Sequence, residues 1–466
     1  MWEPVIGLEI HIQLQTATKL FCSCRNSYGD PPNTNVCPVC LGHPGTLPVL
    51  NEEAVRQAVK LALALNCTVN KTSYFARKNY FYPDLPKGYQ ITQHRFPLAR
   101  DGYIQLRSGK KIRIERLHIE EDSGKSIHTE EETLVDFNRC GVPLAEIVTR
   151  PDISSPQEAV EFLKTLRLAA IYAGVSDADM EKGNLRCDAN LSLRPRGSKS
   201  LGVKTEVKNL NSFRFLAKAL EYEIKRQEEI LNSGGRIKQE TRGFDSQKGI
   251  TFPMRSKEEA HDYRYFPEPD LPPLILTDDQ ISSIKSRIGE LPWEREERYI
   301  NELGLDPETA RILCSEVEIS ILFEKTLENF PHPREVANWV KTDVLKLFHG
   351  GHRVSPRTLE KILVLVRDGK ISRLKAKEVL EEAVMDGKDP EKIVEEKGLL
   401  QISDEAQLRS IIEGVLGEFP DKVESYRKGK RGLLGFFVGQ VMKKTGGKAN
   451  PKLVNKILGE VLNGEQ

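Results

Sequence analysis

The chain reads as an α+β protein: an antiparallel, β-rich domain with flanking helices, then a helical domain and a small helical tail. Three observations predict this. Segments of apolar–polar alternation, among them 6–14 (IGLEIHIQL), 111–122 (KIRIERLHIEED) and 185–194 (LRCDANLSLR), recur before residue 253 and mark half-buried strands. A proline-dense stretch, 253–273, closes that part. From Thr277 onward apolar residues recur at three- and four-residue spacing, the pattern of amphipathic helices.

With 466 residues, the chain exceeds what one compact core organises. Domains are expected at 1–292, 293–405 and 406–466. The net charge of +1 excludes a global field that would announce a nucleic-acid partner. No apolar run approaches the roughly 18 residues of a membrane span. The N-terminus, MWEPVIGLEI, lacks the basic and cleavage features of a signal peptide, so a cytoplasmic location and no membrane contact are expected. Of the eight cysteines, four cluster and four are scattered, unlike the disulfide framework of a small secreted domain.

In chain order, the strand at 6–14 carries Gly7, Glu9, His11 and Gln13 on its polar face. Glu9 and His11 point the same way, which suits a metal or acid–base role as well as a solvated face. Residues 20–40 hold Cys22-x-Cys24, a loop of twelve, and Cys37-x-x-Cys40. Two thiolate pairs joined by a polar loop predict a closed four-sulfur zinc shell, structural because it keeps no open position. Residues 51–65 have helical spacing, with Asn51 as N-cap. The loop 77–93 gathers Arg77, Lys78, Tyr80, Tyr82, Lys87 and Tyr89, as a polar pocket, a base-stacking surface or a packed Pro/Tyr loop. Two strands over 102–122 turn at Ser108–Gly109, and the second ends in Glu120, Glu121 and Asp122. The run Gly124-Lys125-Ser126 resembles a P-loop end, but Ile119 stands where the first glycine is required. One or two short strands follow in 133–150, then a helix over 156–172 with Pro156 at its start.

The strand at 185–194 presents Arg186, Asp188, Asn190, Ser192 and Arg194 on one face, and 203–208 presents Lys204, Glu206 and Lys208. A helix opens at Ser212 and ends at a glycine pair. Glu9, Glu121, Asp188 and Glu206 thus lie on polar faces of four strands, each a solvated face alone but together suited to one pocket. Hard carboxylate ligands suit magnesium or manganese, and neighbouring lysines and arginines suit phosphate. The reaction class this predicts is phosphoryl transfer from a nucleotide. The tail, 406–466, holds eleven Lys/Arg against six Asp/Glu. That basic surface suits an RNA backbone or a solvated helical face.

The blocks GLEIHIQL, CPVCLGHPGTLPVLN, ARKNYFYPDLPKGYQITQ, HIEEDSGK, RCDANLSL, KTEVKNLNSF and EAHDYRYFPEPDLPP together resemble the B subunits of the bacterial tRNA-dependent amidotransferases. The resemblance runs through the whole chain. It implies a kinase-like cradle domain that phosphorylates, with ATP, the side-chain carboxylate of Glu-tRNA(Gln) or Asp-tRNA(Asn). Ammonia, which the amidase A subunit makes and passes through a channel, then displaces the phosphate. A small C subunit that clamps the other two completes a heterotrimer. The implied metal and catalytic residues are Glu9, His11, Glu121, Asp188 and Glu206, with Glu120 and Glu121 not separable by register. The implied ATP or acceptor-end contacts are Lys204, Lys208, Asn209 and Asn211. Channel-wall candidates are Lys78, Tyr82, Lys87 and Thr149. The zinc cluster, present in only some members, is complete here, and the tail resembles the YqeY-type domain that recognises the tRNA elbow.

No Ser–Ser–Lys amidase signature is present, since Ser233-Gly-Gly235 lacks its partners, and no cysteine sits in a glutaminase motif. The chain is therefore expected not to make its own ammonia. Two alternatives stand beside this. One is an RNA-binding scaffold with an incidental acidic face. The other is the archaeal-type paralogue, whose inserted synthetase-like domain a chain of this length has no room for.

Overall fold

The computed structural model describes residues 1–256, 263–402 and 404–464. The first residues of the EAHDYRYF block lie outside the described residues. The chain forms two compact units, Met1–Pro292 and Trp293–Gln466.

The strands of the first unit are β1 (Trp2–Gln13), β2 (Thr68–Val69), β3 (Thr72–Ser73), β4 (Ala76–Asn79), β5 (Tyr89–Thr92), β6 (Ala99–Gln105), β7 (Lys111–Glu121), β8 (Lys125–His128), β9 (Thr133–Asp136), β10 (Pro143–Thr149), β11 (Leu185–Pro195), β12 (Thr205–Lys208), β13 (Glu240–Asp245), β14 (Ile250–Ser256), β15 (Phe266–Pro267) and β16 (Leu274–Ile275). Nine form one sheet in the order β14-β13-β12-β11-β1-β10-β7-β6-β2. Its pairings are antiparallel except β12–β13. The long strand at residues 6–14 is thus central, paired with β10 on one side and β11 on the other.

Period two explains the position. Ile6, Leu8, Ile10 and Ile12 of β1 are buried on one face. Helices α1 (Glu52–Ala64), α2 (Pro156–Tyr172) and α3 (Phe213–Asn232) pack in this unit, α1 against β7 and α3 against β11. Each starts where the sequence places a cap. The Asn51 side chain accepts from the Glu53 and Ala54 amides, Ser155 from Glu158, and Ser212 from Phe215, satisfying donors that the first helical turn leaves unpaired. On the opposite face, β5 of the small sheet β15-β4-β5 lies against β7. Strands β8 and β9 form a separate hairpin over the DSGKSIH run.

The second unit is helical. One apolar cluster gathers Tyr299, Phe323, Trp339, Leu363, Leu380 and Ile393. A second, distinct cluster gathers Leu408, Ile412, Phe437, Val441, Val454 and Leu458. Among the described residues no helix is long and apolar enough to cross a membrane.

Candidate active site

Residues opposite one another in an antiparallel ladder project to the same side. The register therefore builds one row, His118 of β7, Glu146 of β10, His11 of β1 and Arg186 of β11. In the next rows Glu9 faces Asp188, and Asn190 faces Glu206. Four strands bring acids and imidazoles together on the polar face of the sheet.

The centre of the site is tight. His11 Nε2 lies 3.2 Å from Glu120 Oε1 and 3.3 Å from Glu146 Oε2. His118 Nε2 lies 3.4 Å from Glu146 Oε2 and 3.7 Å from Glu120 Oε2. Thr92 Oγ1 donates to Glu120 Oε2 over 3.1 Å. His118, Glu120 and Glu146 are all buried. Burial alone would lower the two imidazoles. The hydrogen bonds of Glu120 and Glu146 reverse that for His11, raising it to about 10. The charge and hydrogen bonds of the same carboxylates raise His118 to about 9. Burial favours the protonated form of Glu120 and Glu146, but the two imidazoles outweigh it and hold both carboxyls below the usual range. Glu9 is raised, by burial first and then by the charge of Glu146.

Glu9, His11 and Glu146 bring one ligand atom each within 4.8 Å of one another, as do His118, Glu120 and Glu146. Glu146 is common to both sets. Among the described residues, His118 Nδ1 is buried without a hydrogen-bond partner. A mixed carboxylate and imidazole donor set fits a divalent cation such as manganese or magnesium.

Beside this centre, Lys208 Nζ bridges Asp188 (2.7 Å) and Glu206 (3.2 Å), and Thr241 Oγ1 donates to Glu206 over 2.9 Å. Lys208 is raised despite burial because Asp188 and Glu206 face it. Arg186 Nη2 lies 2.8 Å from Asp122 Oδ2, which Gln13 also reaches at 3.3 Å. Gln13 and Arg186 open onto a cleft of about 1330 Å³, whose lining includes Lys125, Arg139, Asn211 and Arg214. Lys78 lies over the Tyr263 ring at 4.9 Å and the Tyr80 ring at 5.7 Å. Burial opposes its charge, yet the charges of Glu120 and Glu146 contribute to raising it.

Several sequence candidates lie elsewhere. Glu121 has the opposite parity to Glu120 in β7 and points away from His11. Its carboxylate pairs with the Lys87 ammonium and accepts from the Ile91 amide at 2.9 Å. Thr149 is buried with its hydroxyl accepting from the Leu8 amide at 2.9 Å, after a bulge in the β10–β7 pairing. Tyr82 is exposed, its ring 5.9 Å from Tyr80. Lys204 precedes β12 and is exposed, as is Asn209, whose φ of 66° is left-handed. Sequence pattern singles out neither His118 nor Glu146. A signal for His118 is present, because His118-x-Glu120 repeats the spacing of Glu9-x-His11. Glu146 lies in PLAEIVT, a nearly continuous apolar run that does not declare its faces.

The four clustered cysteines converge. Cys22, Cys24, Cys37 and Cys40 bring their sulfurs within 4.8 Å of one another. The Cys37 amide donates to Cys40 Sγ over 3.2 Å. Cys40 is lowered to about 4, chiefly by a hydrogen bond from Cys22. Four sulfurs at this spacing fit a tetrahedral zinc shell.

Residues 4–282 match the family model described as GatB/GatE catalytic domain, and residues 321–462 match the one described as GatB domain. Three curated relatives carry the name of the aspartyl/glutamyl-tRNA(Asn/Gln) amidotransferase B subunit. That of Persephonella marina is 54% identical, that of Thermodesulfovibrio yellowstonii 53% and that of Thermoanaerobacter pseudethanolicus 52%, each over 99% of both chains. On this likeness over its whole length, together with both domain matches, the chain belongs to the GatB/GatE family of tRNA-dependent amidotransferase B subunits.

Proposed function

We propose that the chain is the kinase-like subunit of an aspartyl/glutamyl-tRNA amidotransferase. It phosphorylates the side-chain carboxylate of Glu-tRNA(Gln) or Asp-tRNA(Asn) with ATP and then directs ammonia onto the activated carbon. The observation that carries this reading is the convergence of Glu9, His11, Glu120 and Glu146 on one sheet face beside Lys208 and Arg186.

The chemistry requires such a site. A carboxylate is a poor electrophile, and its oxygen leaves poorly. Attack of a carboxylate oxygen on the γ-phosphorus forms an acyl phosphate and releases ADP. Ammonia then adds to the acyl carbon, phosphate leaves, and a proton is lost from nitrogen. Glu9, His11, Glu120 and Glu146 would hold magnesium or manganese, which when bound neutralises charge between the two anions. Lys208, Arg186 and the cleft arginines favour a polyphosphate; Asn211 lines the same cleft, and Lys204 and Asn209, exposed on either side of β12, are further candidates for the acceptor end. Lys78, set among aromatic rings beside Glu120, is a wall residue for the ammonia path, with Tyr82, Lys87 and Thr149 as further candidates. Water must be kept from the acyl phosphate and from ammonia.

Glutamine-derived ammonia calls for an amidase A subunit, with a small C subunit to complete a heterotrimer. A tRNA substrate fits a cytoplasmic location. The four cysteines hold a structural zinc. Residues 1–292 are the catalytic cradle, 293–405 a helical domain and 406–466 a YqeY-like tRNA-binding tail.

Reconstitution with the A and C subunits, ATP, glutamine and each misacylated tRNA tests the reading. ADP release and amidated aminoacyl-tRNA are expected together. Amidation without ATP consumption would overturn it, as would glutaminase activity in the isolated chain for the division of labour.

A further inference from the structure

Lys19 is fully buried. A buried ammonium is ordinarily paired with a carboxylate, because losing its water is costly. Lys19 makes no such ion pair among the described residues. Its Nζ is instead placed against three acceptors: the Asn35 carbonyl at 2.6 Å, the Phe137 carbonyl at 3.4 Å and Cys40 Sγ at 3.6 Å. Three acceptors match the three N–H bonds of an ammonium, whereas a neutral amine has only two. Besides the hydrogen bond from Cys22, Cys40 sulfur receives this ammonium and the Cys37 amide. The arrangement suits a thiolate at Cys40.

We propose that Lys19 is the charge-compensating and positioning residue of the four-cysteine zinc site. This rests on the zinc assignment above. Four thiolates around Zn²⁺ leave a net charge of −2, which a partly buried site tolerates poorly without a nearby cation. Lys19 supplies that cation, through a contact to sulfur of the kind that outer-shell partners provide to metal ligands. Its other two contacts reach the cysteine loop at Asn35 and the segment before β10 at Phe137. The Leu20 amide also donates to the Gly141 carbonyl at 2.8 Å. The same side chain that balances the metal site therefore pins it to the approach of the strand bearing Glu146.

The full-length chain is compared with its Lys19→Met, Lys19→Gln and Lys19→Arg variants. Zinc is measured per chain after purification, and its release into a chromogenic chelator is timed. The wild-type chain should carry equimolar zinc. Wild type without zinc would overturn the zinc assignment itself, whatever Lys19 does. With zinc present in the wild type, the Met and Gln variants should release it about tenfold faster or more, while Arg, which keeps the charge, stays close to wild type. Wild-type release from the Met and Gln variants, or release from Arg as fast as from Met, would overturn the role of Lys19. Cobalt substitution adds a readout that a general packing defect does not imitate. The sulfur-to-cobalt charge-transfer band should move to lower energy without the cation, and an unmoved band in loaded Gln variant would count against the inference. Gln keeps donors for the two carbonyls, so it carries the test should Met not fold.

Discussion

Single side chains decide what the site can do. Glu146 belongs to both ligand sets, so Glu146→Gln removes a charge from each at once. Amide formation in the reconstituted enzyme should fall by about a hundredfold or more, with tRNA binding retained in a filter-binding assay. Near wild-type turnover would sink the metal-site assignment. Asp188→Asn and Glu206→Gln should likewise abolish transamidation, since each carboxylate holds Lys208. Glu120 and Glu121 separate the two faces of one strand. Glu121→Gln strands the buried Lys87 ammonium and should cost about 3 kcal/mol or more in thermal or denaturant unfolding. The double variant Lys87→Met, Glu121→Leu should recover most of that loss, which a purely catalytic role for Glu121 does not predict. Sequence alone could not assign these neighbours, because parity in β7 is fixed only when Leu117 and Ile119 are seen to be buried. Once that is known, His118 and Glu120 follow on the other face.

At the scale of elements, local signals were most legible where the backbone has an unpaired donor to satisfy. Asn51, Ser155 and Ser212 cap the helices that begin after them; Asn51 and Ser212 are readable from sequence, whereas the choice between Ser154 and Ser155 is not. Asn51→Ala should cost at least about 1 kcal/mol. The loss should exceed that of an ordinary cap, because Asn51 Nδ2 also donates to the Thr18 and Lys19 carbonyls at 3.1 and 3.2 Å. Denaturant unfolding of the full chain measures it, and an unchanged midpoint would show that α1 is held by packing alone. Long alternating strands were equally legible, as β1, β7 and β11 confirm. Pairing was not. Nothing in 240–256 alternates strongly enough to announce β13 and β14, and the parallel β12–β13 contact depends on the whole of α3 crossing between them. The assembly of the site from β1, β7, β10 and β11 is likewise non-local: the acids could be seen, but the row that seats Glu146 between His11 and His118 is a property of the register.

At the scale of the whole molecule, the question is whether the basic tail serves binding and not chemistry. Its core, around Leu408, Phe437, Val454 and Leu458, is distinct from the cluster around Trp339 and Leu363. The joining hydrogen bonds include the amide of Ile402 donating to the Lys448 carbonyl at 2.7 Å and the Asn450 amide donating to the Ile402 carbonyl at 3.3 Å. Removing 406–466 therefore exposes little of the preceding cluster. Some basic side chains there are spent on intramolecular pairs, such as Arg409 with Glu460 and Lys444 with Glu418 at 2.6 Å each. Arg427, Lys430, Lys443, Lys448 and Lys452 make no ion pair among the described residues. If these side chains meet about five phosphates, removing them would flatten the plot of log affinity against log salt by up to about four. Truncation after Glu405 should thus weaken tRNA binding most at low salt and reduce its salt dependence. ADP formation at saturating misacylated tRNA should persist, because Glu9, His11, Glu120 and Glu146 all lie in the first unit. Affinity measured at two salt concentrations, paired with single-turnover ADP release, distinguishes the outcomes. Unchanged affinity would remove the tail from recognition, and lost ADP release at saturation would give it a part in the reaction.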